Sequence, residues 1–238
     1  MLTALSGADR LMGQASRVAV LMLLAAGAIA GALSGGGLLW LHWVCKPLAT
    51  LWLLLWVGQM PLSAAPARRY RRWIFCGLCL SLLGDILLML PQGLFVPGLL
   101  AFLLAHVCYI IAFAPGDAGW RLLPLALLIA VIAGANLAGL WPHLPDALRL
   151  PVSAYVLVIA LMAVLALARA YGPGQPRAAR LAAAGALLFL LSDSWLAWDR
   201  FAGPLPAAIA GVLASYWAAQ YLIAASCVDA GVSAPGRQ

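Results

Sequence analysis

Two aspartates lie in stretches of sequence where an acid has no structural use. Asp85 lies in the apolar run 80–89, and Asp193 lies in the apolar run 189–196. A carboxylate near the centre of a bilayer costs about 2.5–3.5 kcal/mol even on insertion-based scales, so such a residue normally faces a bundle interior or a water-filled cavity. The alternative is that each Asp only hydrogen-bonds to a neighbouring helix. Two matched acids favour a functional site.

Such a pair supports acid–base catalysis. Two carboxyl groups that share a low-dielectric cavity do not readily ionise together, so one stays protonated as a general acid while the other serves as a base. His106, in another apolar run, either shares this role or is structural. Lys46 either anchors a phosphate or extends to the membrane interface. The G-x-S-x-G, H-E-x-x-H and glycine-rich phosphate-loop motifs are missing, and we expect no metal or cofactor.

The composition defines the class of protein that must position these residues. The chain has 238 residues, of which 66% are hydrophobic and 9% charged, whereas soluble domains average about 45–50% apolar and about 25% charged residues. We therefore expect an all-α polytopic membrane protein. The net charge of +7 comes from thirteen Arg and one Lys. Because these lie mainly in short loops between apolar runs, we expect contacts with lipid headgroups rather than with nucleic acid.

The apolar runs predict a transmembrane bundle of eight helices in a single integral membrane domain, 1–238. A span needs about 20 mostly apolar residues. The predicted spans lie at about 18–41, 43–60, 73–90, 94–114, 122–141, 150–171, 181–198 and 204–228. Polar tails at about 1–17 and 229–238 flank them. The first run resembles a signal peptide, but its length and the seven runs that follow favour a retained span.

Loop charge predicts the orientation of the bundle. Eleven basic residues fall on one side and at most three on the other, so both termini are expected in the cytoplasm. Asp85 and Asp193 each lie twelve residues from the cytoplasmic end of a predicted span, a depth of about 18 Å. Lys46 and His106 fall in the same third of the bilayer. The four groups are expected to share one polar cavity.

The two acidic segments also indicate a duplication. Residues 82–88 and 190–196 share the pattern Leu-Leu-small-Asp-x-x-Leu and lie four spans apart. A 4+4 parallel repeat would place Asp85 and Asp193 in equivalent positions about a pseudo-twofold axis.

Several motifs in this order resemble the YhhN family of membrane proteins, whose characterised members are lysoplasmalogenases. The G-D and S-D-S blocks, with F-x-x-A-H-x-x-Y between them, carry the resemblance. The matching stretches are 46–48, 81–88, 98–109, 185–194 and 216–221. They extend from the second span to the eighth and cover most of the chain.

The resemblance implies hydrolysis of the vinyl-ether bond of lysoplasmalogen to a fatty aldehyde and a glycerophospho-choline or -ethanolamine. Such ethers hydrolyse through protonation on carbon and capture of an oxocarbenium ion by water, which calls for one acid and one anion, as in glycosidases. We expect Asp85 and Asp193 to take these roles, without deciding which takes which. The residues expected to bind the substrate are Lys46, His106, Tyr109, Ser192, Tyr216 and Gln220.

The competing class is transport. Intramembrane acids and a repeat also fit a proton-coupled transporter or a lipid flippase. Broken helices would favour transport, but Pro47 and Pro151 fall at predicted helix starts, where proline is tolerated. A structural scaffold would leave the acids unexplained. Short loops and the absence of organelle-type signals are typical of the bacterial inner membrane, and a lysophospholipid is the expected partner.

Overall fold

The chain folds into a bundle of long helices. The computed structural model describes residues 7–60, 65–90, 92–114, 122–171 and 174–232. Within these ranges there are eight α-helices and no strand, which confirms the predicted all-α class. The helices are α1 (Gly7–Ser34), α2 (Leu39–Gly58), α3 (Ala65–Met89), α4 (Phe95–Phe113), α5 (Leu122–Leu140), α6 (Asp146–Ala170), α7 (Arg177–Phe201) and α8 (Ala208–Val232).

Each of these eight helices, within the described part of the chain, contains a segment long and apolar enough to cross a membrane. The predicted transmembrane bundle of about eight helices is therefore confirmed. The cytoplasmic location of both termini and the 4+4 repeat stay predictions. Residues 1–6 and 233–238 of the predicted tails lie outside the described residues.

The boundary between the first two helices differs from the predicted span 18–41. Gly35 and Gly36 adopt φ angles of 59° and 45°, a left-handed conformation that glycine tolerates and other residues rarely adopt. They end α1 at Ser34, and α2 starts at Leu39 after a short 3-10 turn. At its other end α1 begins at Gly7, so much of the sequence assigned to a polar tail is helical.

The prolines do not lie where the sequence suggested. Pro47 lies inside α2 and Pro151 lies inside α6, beyond their first turns, so the expectation that both mark helix starts is wrong. The predicted spans began at apolar residues, whereas the helices begin several residues earlier. Proline has no N–H, and Pro47 therefore leaves the carbonyl of Trp43 without its usual helical partner. Even so, α2 is continuous from Leu39 to Gly58.

Small residues bring the central helices close together. The most extensive contacts join α3 to α4 and α7 to α8, whereas α5 packs mainly along α6 and touches α7 over a short stretch. A Cβ at Gly84 of α3 would lie 2.6 Å from the Phe102 ring of α4, and one at Gly185 of α7 would lie 2.9 Å from the Ala219 carbonyl of α8. In lipid there is no hydrophobic driving force between helices, so they associate through close van der Waals packing, which small residues allow.

Candidate active site

A cavity of about 460 Å³ opens inside the bundle, with walls from every helix except α1. Its volume is within the usual range of small-molecule sites, and its lining is mostly apolar with a few polar groups. Asp85, Asp193 and Lys46 line it, so three of the four ionisable groups expected in one cavity meet there. Ser192 and Tyr216 line it as well. His106, Tyr109 and Gln220 are buried outside its lining.

Asp85 is held by three groups from two other helices. Thr50 Oγ1 of α2 donates to Asp85 Oδ2 at 2.6 Å, and the Tyr216 hydroxyl of α8 donates to the same oxygen at 2.7 Å. Lys46 Nζ lies 3.7 Å from Asp85 Oδ1, and the two side chains are only 11% and 2% exposed. A cation and two hydroxyl donors compensate the charge of an ionised carboxylate. Lys46 and Thr50 reach it together because they are four residues apart on one helical face.

A chain of hydrogen bonds holds Tyr216 from behind. Gln220 Nε2 donates to the Tyr216 hydroxyl at 3.3 Å, and the Tyr109 hydroxyl donates to Gln220 Oε1 at 2.8 Å. Ser81 Oγ lies 3.5 Å from the Tyr109 hydroxyl. Tyr109 and Gln220 therefore support the hydroxyl that contacts Asp85, rather than face the cavity themselves.

Asp193 has a different environment. The Tyr155 hydroxyl of α6 donates to Asp193 Oδ2 at 2.5 Å. His106 Nε2 of α4 lies 4.0 Å from the same oxygen, and the Asp193 side chain is 17% exposed. Among the ion pairs of the described residues, none joins Asp193 to a lysine or arginine. Asp193 thus has one strong donor and no permanent cation.

His106 is enclosed by aromatic rings. Its ring centroid lies 4.6 Å from that of Phe189 and 5.3 Å from that of Tyr155. Within the described residues neither ring nitrogen has a hydrogen-bond partner. The ring therefore packs against Tyr155 outside the cavity lining, with Nε2 towards Asp193.

The serines that flank Asp193 bind neighbouring helices. Ser192 Oγ donates to the Val212 carbonyl of α8 at 2.9 Å. Ser194 Oγ accepts a hydrogen bond from Asn136 Nδ2 of α5 at 3.1 Å, and Trp198 Nε1 donates to Asn136 Oδ1 at 2.6 Å. Ser192 therefore lines the cavity with its hydroxyl hydrogen already engaged.

The partners of the two acids follow matching helices. Asp85 of α3 is contacted from α2 and α8, and Asp193 of α7 is contacted from α6 and α4. A 4+4 repeat would pair α3 with α7, α2 with α6 and α8 with α4, so this is the pattern that a repeat predicts. Counted from the observed helix starts, Asp85 lies twenty residues along α3 and Asp193 sixteen residues along α7. The two positions along their helices differ by four residues, about one turn, and the equal depth of the two acids stays a prediction.

The sequence matches the YhhN family over residues 41–227, a range that includes all eight predicted site residues. The chain belongs to the YhhN family. It is 37% identical to lysoplasmalogenase TMEM86A of Bos taurus over 188 residues, which cover 78% of this chain and 76% of that protein. It is 37% identical to human lysoplasmalogenase TMEM86B over 190 residues, covering 79% and 75% of the two chains.

A bacterial relative extends this YhhN-family comparison. The lysoplasmalogenase of Mycobacterium bovis is 38% identical over 173 residues, which cover 68% of this chain and 62% of that protein. No solved structure matches the chain significantly. The helix α1 lies outside the family match, and none of its residues whose side chains the structure describes lines the cavity.

Sequence reasoning missed Thr50 and Tyr155, which donate to the two acids. Hydroxyl groups are common in membrane helices and cost little there, so neither residue stands out from its apolar run. One usable signal is the spacing of Thr50 from Lys46, four residues along one helix face. Tyr155 has no comparable signal.

Proposed function

We propose that this protein is an ether hydrolase that cleaves the vinyl-ether bond of lysoplasmalogen inside the membrane. The products are a fatty aldehyde and a glycerophospho-choline or -ethanolamine. The observation that carries the proposal is one cavity with two carboxyl groups in unequal environments, one beside a lysine and one without a permanent cation. Relatives named lysoplasmalogenase support the same reaction class.

Asp193 is the general acid in this proposal. A buried carboxyl group without a cation is more stable neutral than charged. Tyr155 donates to Oδ2, which leaves Oδ1 to carry the proton. Asp193 transfers that proton to the vinyl carbon that bears the hydrocarbon chain. The other vinyl carbon and the ether oxygen bonded to it then share the positive charge as an oxocarbenium ion.

Asp85 is the anion that completes the reaction. Its carboxylate, fixed by Lys46, Thr50 and Tyr216, stabilises the cation and accepts a proton from the water that attacks it. The product is a hemiacetal. Its hydroxyl proton then passes to Asp193, the carbon–oxygen bond to glycerol breaks, and Asp85 returns its proton to the glycerol oxygen. Both acids regain their starting states, so no cofactor takes part.

The test is aldehyde release from a 1-alkenyl lysophosphoethanolamine by purified protein in detergent. Asp85→Asn and Asp193→Asn are each expected to reduce turnover by at least about 100-fold, the usual contribution of a general acid or base. Asp146→Asn is the matched control, because Asp146 is an exposed residue at the start of α6. Full activity in either cavity variant would refute the assignment. A folded wild-type protein that releases no aldehyde in detergent, but moves the lysolipid between the leaflets of reconstituted vesicles, would support the transporter or flippase.

The remaining roles are proposed on the same basis. Lys46, Tyr216 and Ser192 line the substrate cavity, and His106, Tyr109 and Gln220 act through the groups they contact. We place the protein in a bacterial inner membrane as a single domain because its loops are short and organelle-type signals are absent. We place both termini in the cytoplasm because of the loop charges. Reporter fusions at the two termini test this orientation, and activity of a fused reporter outside the cytoplasm would contradict it.

A further inference from the structure

The helix α7 lines the cavity over a long stretch, from Leu187 to Phe201. Asp193 and Arg200 both line it, and they are seven residues apart on that helix. Seven residues make almost two full turns, so the two side chains project from the same face about 10 Å apart along the axis. The cavity therefore has an acid in its middle and a guanidinium group towards the end of α7.

Arg200 is held without an acidic partner. Its Cζ lies 4.0 Å from the centre of the Phe95 ring, and that ring meets Phe201 edge-on at 5.7 Å. Within the described part of the chain, no ion pair includes Arg200. The neighbouring Asp199 uses Oδ1 to accept the Leu205 N–H at 2.8 Å. Cation–π stacking fixes the guanidinium plane while its N–H groups keep their capacity to bind an anion.

Lys46 is less suited to bind a phosphate. It lies 3.7 Å from Asp85 and is only 11% exposed. A phosphate there would compete with the Asp85 carboxylate for the same ammonium group. Arg200 is exposed at the cavity rim, where a headgroup stays in contact with water.

The opposite part of the cavity opens towards lipid between α5 and α7. Ile132 of α5 and Leu191 of α7 line the cavity, yet they are 49% and 51% exposed on the outer surface of the bundle. Leu187 of α7 shares both properties. These three residues define the α5–α7 crevice. It is continuous with the cavity that contains Asp193, so an occupant reaches from the lipid to the acid.

We infer that the lysolipid binds with its phosphate on Arg200 and its hydrocarbon chain in the α5–α7 crevice. This inference rests on the proposed function. Seven bonds separate the vinyl carbon that accepts the proton from phosphorus, an extended length of about 8–9 Å by standard bond lengths. Asp193 and Arg200 are about 10 Å apart along α7, slightly more than this length. The long Arg side chain can reach back over the difference to contact the phosphate. The vinyl ether then lies beside Asp193, and the chain lies beyond it.

The headgroup contact is tested with two substrates and two variants. Arg200→Gln is expected to raise KM for 1-alkenyl lysophosphoethanolamine roughly tenfold or more, the effect of losing a hydrogen bond to a charged group, with kcat changed less than about twofold. With a 1-alkenylglycerol, which has no phosphate, the same variant is expected to match the wild type. Arg200→Lys restores part of the lost affinity. Arg149→Gln is the control, because Arg149 pairs with Asp146 outside the cavity lining.

Two results would overturn the headgroup assignment: an unchanged KM in Arg200→Gln, or an equal loss with both substrates. Binding of a saturated 1-alkyl lysophosphoethanolamine, which has no vinyl ether to cleave, separates this inference from the proposed reaction. Weaker binding in Arg200→Gln supports the phosphate contact even if the wild type releases no aldehyde. Unchanged binding refutes it even if the wild type is fully active.

The crevice is tested by filling it. Ile132→Trp is expected to reduce kcat/KM roughly tenfold or more for both substrates, because the indole would occupy the path of the hydrocarbon chain. Val131→Trp is the matched control, since Val131 is exposed on α5 but does not line the cavity. Equal activity of the two tryptophan variants would show that the chain does not use this path.

Discussion

The variant Lys46→Met removes the ammonium group that lies 3.7 Å from Asp85 Oδ1. At an effective dielectric constant of about 20, unit charges at this separation attract by about 4–5 kcal/mol. Removing one partner of a buried ion pair costs about 3–5 kcal/mol, because the other charge stays buried without compensation. Thr50 and Tyr216 still donate to Asp85. We therefore expect a loss near the lower limit, about 3 kcal/mol in the free energy of unfolding.

A double-mutant cycle isolates this interaction from the rest of the substitution. Asp85→Asn removes the charge but keeps an oxygen that can accept from Thr50. The double variant Lys46→Met/Asp85→Asn has no buried charge at this position, so it is expected to be more stable than Lys46→Met alone. The coupling free energy is expected to lie in the upper part of the range of about 0.5–3 kcal/mol for residues in direct contact.

The measurement is equilibrium unfolding by SDS in mild detergent micelles, followed by tryptophan fluorescence. Arg149→Met is the control, because Arg149 lies closer to its partner, at 2.7 Å from Asp146, but the two side chains are 39% and 88% exposed. Exposed pairs contribute at most about 1 kcal/mol. Additive effects of the two cavity substitutions, within about 0.5 kcal/mol, would refute the view that burial makes this pair strong.

Two further predictions concern other contacts of the bundle. Tyr155→Phe removes the donor to Asp193 Oδ2 and is expected to lower kcat roughly tenfold or more while KM changes little. The free energy of unfolding is expected to fall by about 1–3 kcal/mol, because a buried carboxyl oxygen loses its donor. An unchanged kcat in the aldehyde assay would contradict the role of Tyr155 in positioning Asp193. Gly84→Ala would place a Cβ 2.6 Å from the Phe102 ring and is expected to lower the free energy of unfolding by about 1–3 kcal/mol. The control is Gly134→Ala, which has open space around it and is expected to leave the stability unchanged or to raise it. Equal unfolding midpoints would show that α3 and α4 adjust freely.

Composition and local pattern determined the class of fold. A chain that is 66% hydrophobic and 9% charged has to satisfy its backbone polar groups inside the membrane, and helices do this within each segment. The same constraint made Asp85 and Asp193 conspicuous, because an acid in an apolar span is retained at a cost. Motif order was enough to indicate the YhhN family, to which the chain belongs.

Local pattern was less able to predict where helices begin and end. Hydropathy averages over many residues, so it merged the first helix with the turn at Gly35 and Gly36, whose backbone conformation ends α1. It also treated Pro47 as a helix start, although the helix already extends through the preceding eight residues. Interfacial turns continue a helix beyond its apolar core because their backbone hydrogen bonds do not depend on hydrophobicity.

Only the tertiary structure decided which groups meet. The sequence identified Lys46, Tyr109, Tyr216 and Gln220 as polar residues in membrane spans. It did not show that Lys46 pairs with Asp85 or that Gln220 donates a hydrogen bond to Tyr216. Spacing along a helix determines which residues share a face, whereas the partner of that face depends on how the helices pack. Tyr155 on α6 and Asp193 on α7 therefore become a hydrogen-bonded pair only when their helices meet.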